Sequence, residues 1–123
     1  MNIVMSNNIR SDLRLIADTI LPDSRVLDVG CGDGSLLGFL KSDKRVDGRG
    51  IELSMAGVRE CVCNGLSVIQ GDADTDLDAY PDDAFDFVVL FELRACVRSC
   101  ARGLLYRAFQ CHASQLPRRL ILG

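Results

Sequence analysis

Three glycines alternate with other residues directly after a short apolar run, at Gly30, Gly32 and Gly34. Glycine adopts positive φ without steric cost and lets a ligand approach the backbone closely. A helix that begins after such a turn presents unpaired N–H groups to whatever occupies the turn. The pattern predicts a cradle for a small ligand. Asp28, just before the first glycine, suits a ligand that carries a cationic amino group.

The spacing of the glycines narrows the class of ligand. The dinucleotide fingerprint G-x-G-x-x-G requires glycine at position 35, where this chain has Ser35. This difference disfavours a nicotinamide-dependent oxidoreductase, which remains the less favoured alternative. A tight strand-to-helix turn that binds no ligand is the other alternative.

Two further acids fall where the next two strands are predicted to end. Glu52 ends the second strand, where a carboxylate can accept hydrogen bonds from both hydroxyls of a ribose. Asp72 follows the third strand and can accept from the exocyclic amine of adenine, while a neighbouring backbone N–H reads a ring nitrogen; Asp74 is the alternative acid. Cradle, ribose acceptor and adenine acceptor together predict a pocket for S-adenosylmethionine.

A parallel sheet is needed to bring these groups together. Apolar runs predict strands over residues 25–29, 66–70 and 85–90. Residues 47–52 fit a further strand, the second along the chain, which its two glycines weaken. Helical spacing of apolar residues predicts helices over residues 9–20, after the glycine turn and from Ser54 to Cys63, the last ended by Asn64-Gly65. This alternation predicts an α/β fold with right-handed crossovers, whose ligands bind at the carboxyl ends of the strands.

Composition is that of a single globular domain. The chain has 123 residues, 48% of them apolar and 25% charged. No apolar run approaches the roughly 20 residues that span a bilayer. The first residues lack the basic and apolar regions of a signal peptide, so we expect a cytoplasmic protein without membrane partners.

Charge divides the chain into two parts. All 17 acidic residues lie at or before Glu92, whereas residues 93–123 hold six arginines, no lysine and no acid. A basic tail could bind nucleic acid. The leucine, cysteine and alanine content of this tail argues against a solvated basic arm, so we expect no nucleic-acid partner.

The six cysteines do not predict disulfides or a metal site. A bridge at Cys31 would block the ligand, and Cys61 and Cys63 face different ways on a helix. One conceivable metal set lacks the C-x-x-C spacing of a zinc site: Cys96, Cys100, Cys111 and His112. We therefore interpret the cysteines as small buried hydrophobes or free thiols.

Four segments resemble the class I S-adenosylmethionine-dependent methyltransferases and, more narrowly, the MetW family of methionine biosynthesis proteins: residues 25–34, 50–54, 65–74 and 80–90. The resemblance implies a Rossmann-like parallel sheet flanked by helices, truncated after about the fourth or fifth strand. It implies a bacterial, cytoplasmic protein that acts with a homoserine O-acyltransferase, and a structural role for Asp86. The cofactor contacts it implies are Asp28, Gly30, Cys31, Gly32, Glu52, Leu53, Asp72 and Ala73.

The resemblance ends near Leu90, where the acids also disappear. We therefore expect a methyltransferase-like domain over residues 1–92 and a divergent tail over residues 93–123. Our hypothesis for the tail is an out-of-frame reading, which the gene's nucleotide sequence would test. The tail still predicts a helix and a fifth strand over residues 118–122. A sheet shortened in this way exposes an edge and an apolar face, so we expect an association-prone product.

The function predicted from these observations is that of an S-adenosylmethionine-binding domain that enables homoserine acylation or transfers a methyl group. No catalytic residue is assigned, because the acceptor side of such sites follows the fourth strand. A non-catalytic partner-binding module and an inactive truncated fragment are the alternatives.

Overall fold

The computed structural model describes residues 9–72, 76, 80, 84–90 and the backbone of 119–122. Helices and strands alternate from residue 11 to residue 70, as the sequence predicts. In order they are α1 (Ser11–Thr19), β1 (Arg25–Val29), α2 (Ser35–Lys44), β2 (Asp47–Glu52), α3 (Met55–Cys63), β3 (Ser67–Gln70), β4 (Phe87–Leu90) and β5 (Arg119–Leu122).

The strands form one sheet in the order β3-β2-β1-β4-β5, and every neighbouring pair is parallel. The chain moves outward from β1 to β3 and then crosses to β4 on the other side of β1. Strand order therefore reverses beside β1, which is where ligands bind in open α/β sheets. The predicted fold class is confirmed.

Most predicted bounds agree with the structure. β1 and β2 have the predicted ends, whereas β3 begins at Ser67, β4 at Phe87 and β5 at Arg119, each one or two residues late. Phe85, predicted to open β4, instead packs edge-on against Tyr80, with ring centroids 5.3 Å apart.

Both faces of the sheet carry buried apolar side chains, as expected for central parallel strands. On one face Val26, Phe87 and Val89 pack with residues of α1 and α2, including Ile16 and Leu40. On the other face lie Leu27, Val29, Ile51, Val88 and Leu90.

The two glycines of β2 make room for neighbouring side chains. A Cβ at Gly48 would lie 2.8 Å from Cδ2 of Leu37 in α2. A Cβ at Gly50 would lie 2.8 Å from Sγ of Cys31 and 2.9 Å from Cγ2 of Val68. These glycines, which the sequence indicates as weak points, let α2 and the glycine turn pack closely on the sheet.

Asp86 ties the start of β4 to the start of β1. Its Oδ2 accepts a hydrogen bond from the backbone N–H of Arg25 at 2.9 Å, and its Oδ1 accepts from Nη2 of Arg25 at 3.0 Å. The N–H of Asp86 donates to the carbonyl of Arg25 at 2.8 Å. These hydrogen bonds from Arg25 lower the pKa of Asp86. The geometry is that of the structural role expected for this acid.

Some predictions fall outside the described residues. They include the tail helix, the possible cysteine–histidine set, Ala73 and Asp74. Within the residues that are described, no helix is long and apolar enough to cross a membrane, and no three His, Cys, Asp or Glu side chains cluster as metal ligands would.

Candidate functional site

The glycine turn leaves β1 with its backbone in the left-handed region. Gly30, Gly32 and Gly34 have φ of 73°, 58° and 82°. The N–H groups of Gly30 and Cys31 donate to the carbonyl of Ile51 at 2.8 and 3.2 Å, which fixes the turn against the end of β2. Side chains other than glycine are strained at such φ values, so the turn explains the three glycines.

Two of these glycines serve different purposes. A Cβ at Gly34 would lie 2.5 Å from Cδ1 of Leu66 and 2.8 Å from Sγ of Cys61, so this glycine allows close packing. A Cβ at Gly32 would meet nothing within 4 Å. The space beside Gly32 is therefore open, and a ligand can approach the backbone there.

Glu52, at the end of β2, holds the turn in place. Its Oε1 accepts from the N–H of Gly32 at 3.0 Å, and its Oε2 accepts from the N–H of Ser54 at 2.9 Å. One carboxylate thus joins the glycine turn to the start of α3. Each oxygen has a second lone pair, so the carboxylate can still accept from the two hydroxyls of a ribose.

Asp28 is a buried acid within β1. Its side chain is 3% exposed, and its register partners are Gly50 on β2 and Val89 on β4. Among the described residues, none donates a hydrogen bond to the Asp28 carboxylate or forms an ion pair with it. Burial, with a smaller contribution from the charge of Glu52, raises the pKa of Asp28 to about 7. A buried carboxyl without a donor is costly to ionise, and such groups mark candidate sites.

The end of β3 completes this edge of the sheet. The N–H of Gly71 donates to the carbonyl of Glu52 at 3.1 Å, so the chain after β3 stays beside the end of β2. Asp72 follows and is exposed, and its N–H donates to Oδ2 of Asp76 at 2.6 Å. Leu53 is 66% exposed and offers an apolar surface at the same edge.

Cys31 lies within the turn, but its side chain points into the core with Leu37, Val58, Cys61 and Val68. Any contact of Cys31 with a ligand would therefore come from its backbone. Sγ of Cys61 donates to the carbonyl of Gly32 at 3.4 Å. Burial raises the pKa of both thiols, which suits the role of small buried hydrophobes. Cys63 is exposed, so the prediction that it and Cys61 face different ways is confirmed.

Helix α3 packs directly on the turn. A Cβ at Gly57 would lie 2.8 Å from the carbonyl oxygen of Gly32 and 3.0 Å from Cγ of Glu52. Ser54 begins the helix, and its Oγ accepts from the N–H of Gly57 at 3.4 Å. The structure thus brings Asp28, the glycine turn and Glu52 together, with Asp72 at the adjoining strand end.

The fold and this edge define the class of methyltransferase-like proteins. A methyltransferase described as S-adenosylmethionine-dependent from Archaeoglobus fulgidus superposes with a TM-score of 0.70 at 24% identity, over 80% of this chain and 45% of its own. A TehB-like S-adenosylmethionine-dependent methyltransferase from Corynebacterium glutamicum gives a TM-score of 0.68 at 25% identity, over 82% of this chain and 57% of its own. A third, from Geobacter sulfurreducens, was solved with S-adenosyl-L-homocysteine; its TM-score is 0.64 at 24% identity, over 81% of this chain and 44% of its own.

The chain belongs to the MetW family. The profile described as methionine biosynthesis protein MetW matches residues 10–105. The match continues past Leu90, where the resemblance noted from the sequence ends. A curated relative, the bifunctional methionine biosynthesis protein MetXA/MetW of Rhodopirellula baltica, is 33% identical over 87 residues. The match covers 64% of this chain and 14% of that relative, so the chain spans a small part of its length.

Proposed function

We propose that this chain binds S-adenosylmethionine or S-adenosylhomocysteine at the carboxyl ends of β1, β2 and β3. Glu52 accepts the ribose hydroxyls, and Asp72 with its neighbouring backbone reads the adenine. Leu53 supplies apolar contact for the base, and Ala73 is a further proposed contact. Asp28 and the backbone of the glycine turn receive the amino-acid end of the ligand.

The observation that carries this proposal is the combination of a buried acid at Asp28 and open space beside Gly32. Asp28 is a buried carboxyl to which no described residue donates, and Gly32 has open space where a side chain would lie. A ligand that brings an ammonium group fits both: it partners the acid, and it approaches the backbone where no Cβ stands in the way. The solved relative that holds S-adenosyl-L-homocysteine supports the class of ligand.

We place this binding within methionine biosynthesis, in partnership with a homoserine O-acyltransferase and in the cytoplasm. The support for the partnership is the relative whose name joins MetXA to MetW in one chain. S-adenosylmethionine, when bound, supplies an electrophilic methyl group on a sulfonium. For methyl transfer, this chain's residues would fix the orientation of the ligand, which lowers the entropic cost of the reaction.

Calorimetric titration with S-adenosylmethionine and S-adenosylhomocysteine tests the pocket. Gly32→Ala adds a Cβ in the open space at positive φ, and we expect it to weaken binding tenfold or more. Gly38→Ala is the matched control, because a Cβ at Gly38 also meets nothing within 4 Å but lies on α2, away from the turn. It should bind as the unmodified chain does. Failure of the unmodified chain to bind either ligand would remove the cofactor proposal.

Co-purification with the acyltransferase tests the partnership separately. If the acyltransferase is retained and labelled methyl groups are not transferred, the chain is a non-catalytic partner-binding module. If methyl transfer is observed without the acyltransferase, the chain is a methyltransferase. A correctly folded chain that neither retains the acyltransferase nor transfers methyl groups would contradict the proposed role.

A further inference from the structure

Two acids lie close together at the proposed binding site. The carboxyl of Asp28 and the carboxylate of Glu52 are close enough to interact electrostatically, and the Glu52 oxygens are fixed by the N–H groups of Gly32 and Ser54. No described basic side chain forms an ion pair with either acid. A neighbouring negative charge disfavours ionisation of an acid, most strongly when that acid is buried as Asp28 is.

The groups around Asp28 offer no compensation. The end of β2 presents Glu52, the turn presents the Cys31 thiol and α3 presents the Cys61 thiol, and each of these gains negative charge if it ionises. β4 consists of apolar residues alone, and Asp28 is paired in register with Val89 on that strand. Deep burial therefore favours the protonated form of Asp28 when no ligand is bound.

Resting on the proposed function, we propose that this pocket exchanges a proton for the positive charge of its ligand. Without ligand and below its pKa, Asp28 is a neutral carboxylic acid. When the ammonium group of S-adenosylhomocysteine enters, the O–H bond of Asp28 breaks, its proton passes to solvent, and the carboxylate pairs with the ammonium. The electron pair of the O–H bond stays on the carboxylate oxygen, so charge and atoms balance.

The exchange makes affinity depend on pH in one direction. Below the pKa of the empty site, about 7, binding must remove a proton, so the affinity for S-adenosylhomocysteine rises as pH increases towards that value. The rise approaches tenfold for each pH unit, because one proton is released for each ligand bound. Above that pH the Asp28 carboxyl is already ionised, and this contribution to the pH dependence disappears.

The test is calorimetry of S-adenosylhomocysteine binding in pairs of buffers that differ in heat of ionisation, which counts the protons released. We expect close to one proton per ligand at about pH 6 and close to none above about pH 8. 5′-Methylthioadenosine keeps the nucleoside and lacks the ammonium, so it should release none. Asp28→Asn should release none with either ligand and should lose most of the preference for S-adenosylhomocysteine.

A measurement without ligand provides a second arm. The infrared spectrum of the unliganded chain at about pH 6 should contain the C=O stretch of a protonated carboxylic acid that Asp28→Asn lacks. Binding of S-adenosylhomocysteine without proton release, or absence of that band, overturns the exchange while leaving the proposed function in place. Failure of every ligand to bind at any pH overturns both.

Discussion

The two ends of the sheet treat charge differently. At the amino edge, where the strands begin, acids are paired with arginines: Asp86 with Arg25, Asp23 with Arg45 and Asp47 with Arg49. At the carboxyl edge, where the strands end, Asp28 and Glu52 form no ion pair with any residue described. Asp28 is also buried more deeply than the paired acids. It is 3% exposed, whereas their side chains are 35% to 63% exposed.

This difference separates acids that stabilise the fold from acids that are available to a ligand. Hydrogen bonds from the arginines lower the pKa of Asp86 and of Asp23, so each of these two acids favours the folded state in its charged form. A buried acid without a partner has a raised pKa and disfavours folding when it ionises. Asp28 therefore lowers the stability of the fold at the carboxyl edge of the sheet, and a bound ligand that pairs with it would restore that stability. The following predictions test the difference, beginning with the largest expected effect.

Asp28→Asn should stabilise the chain at neutral and alkaline pH. Because the folded-state pKa is about 7 and the ordinary value is 3.8, the folded chain holds this proton more tightly than the unfolded chain. The stability gained from that proton is present below about pH 4 and is lost as pH rises through about 7. The asparagine variant does not lose it, so at about pH 8 it should be more stable by a few kcal/mol.

Urea unfolding of the two proteins between about pH 4 and pH 8 measures this difference. The two stabilities should converge at the acidic end of the range. An asparagine variant that is less stable at every pH would show that the Asp28 carboxylate has a stabilising partner.

Asp86→Asn should have the opposite effect on stability and lower the free energy of unfolding. It removes one side of the charged interaction with Arg25, and we expect a loss of about 1–2 kcal/mol at neutral pH, typical of a partly exposed charge-assisted hydrogen bond. The pKa of Asp86 is lowered in the folded chain, so its contribution is present above the ordinary value of 3.8 and is lost as pH falls through the folded pKa.

The same unfolding experiment, extended to acid, measures that loss. The difference between Asp86→Asn and the unmodified chain should shrink as pH is lowered. A loss of the same size at every pH would indicate that the hydrogen bond to the Arg25 N–H matters and the charge does not.

Asp23→Asn should have the smallest effect. The Asp23–Arg45 pair is 2.9 Å apart, but the side chains are 63% and 74% exposed, and exposed pairs contribute little. We expect no measurable change in the unfolding midpoint at moderate salt. A loss comparable with that of Asp86→Asn would mean that burial does not distinguish the paired acids.

The sequence was sufficient for the elements but not for their contacts. The turn residues on either side of the apolar run at residues 25–29 predicted the bounds of β1, and the bounds predicted for β2, residues 47–52, also agree with the structure. Phe85 was assigned to the fourth strand as part of an apolar run, whereas in the structure it precedes β4 and its ring packs edge-on against Tyr80. A run of apolar residues does not reveal such a contact, because strand formation depends on the tertiary surroundings.

The sequence predicted which residues lie at the strand ends but not the hydrogen bonds that connect them. The positions of Asp28, Gly32 and Glu52 followed from motif spacing. The bonds from Gly32 and Ser54 to Glu52 join segments whose separation depends on how the strands pair, and the absence of a described donor to Asp28 depends on burial. One signal for the bond to Glu52 was present in the sequence. Glu52 comes two residues before Ser54, the residue that begins α3, so its carboxylate is close enough to accept from an N–H at the start of the helix.

The two hydrogen bonds that Glu52 accepts limit how the ligand specificity of the site could be changed. The side chain proposed to bind the sugar also connects the glycine turn to α3. Exchanging it to admit a different nucleoside would loosen the loop that must recognise the new ligand. A successful redesign would therefore need a second substitution, one that restores an acceptor for the Gly32 N–H before selectivity is altered.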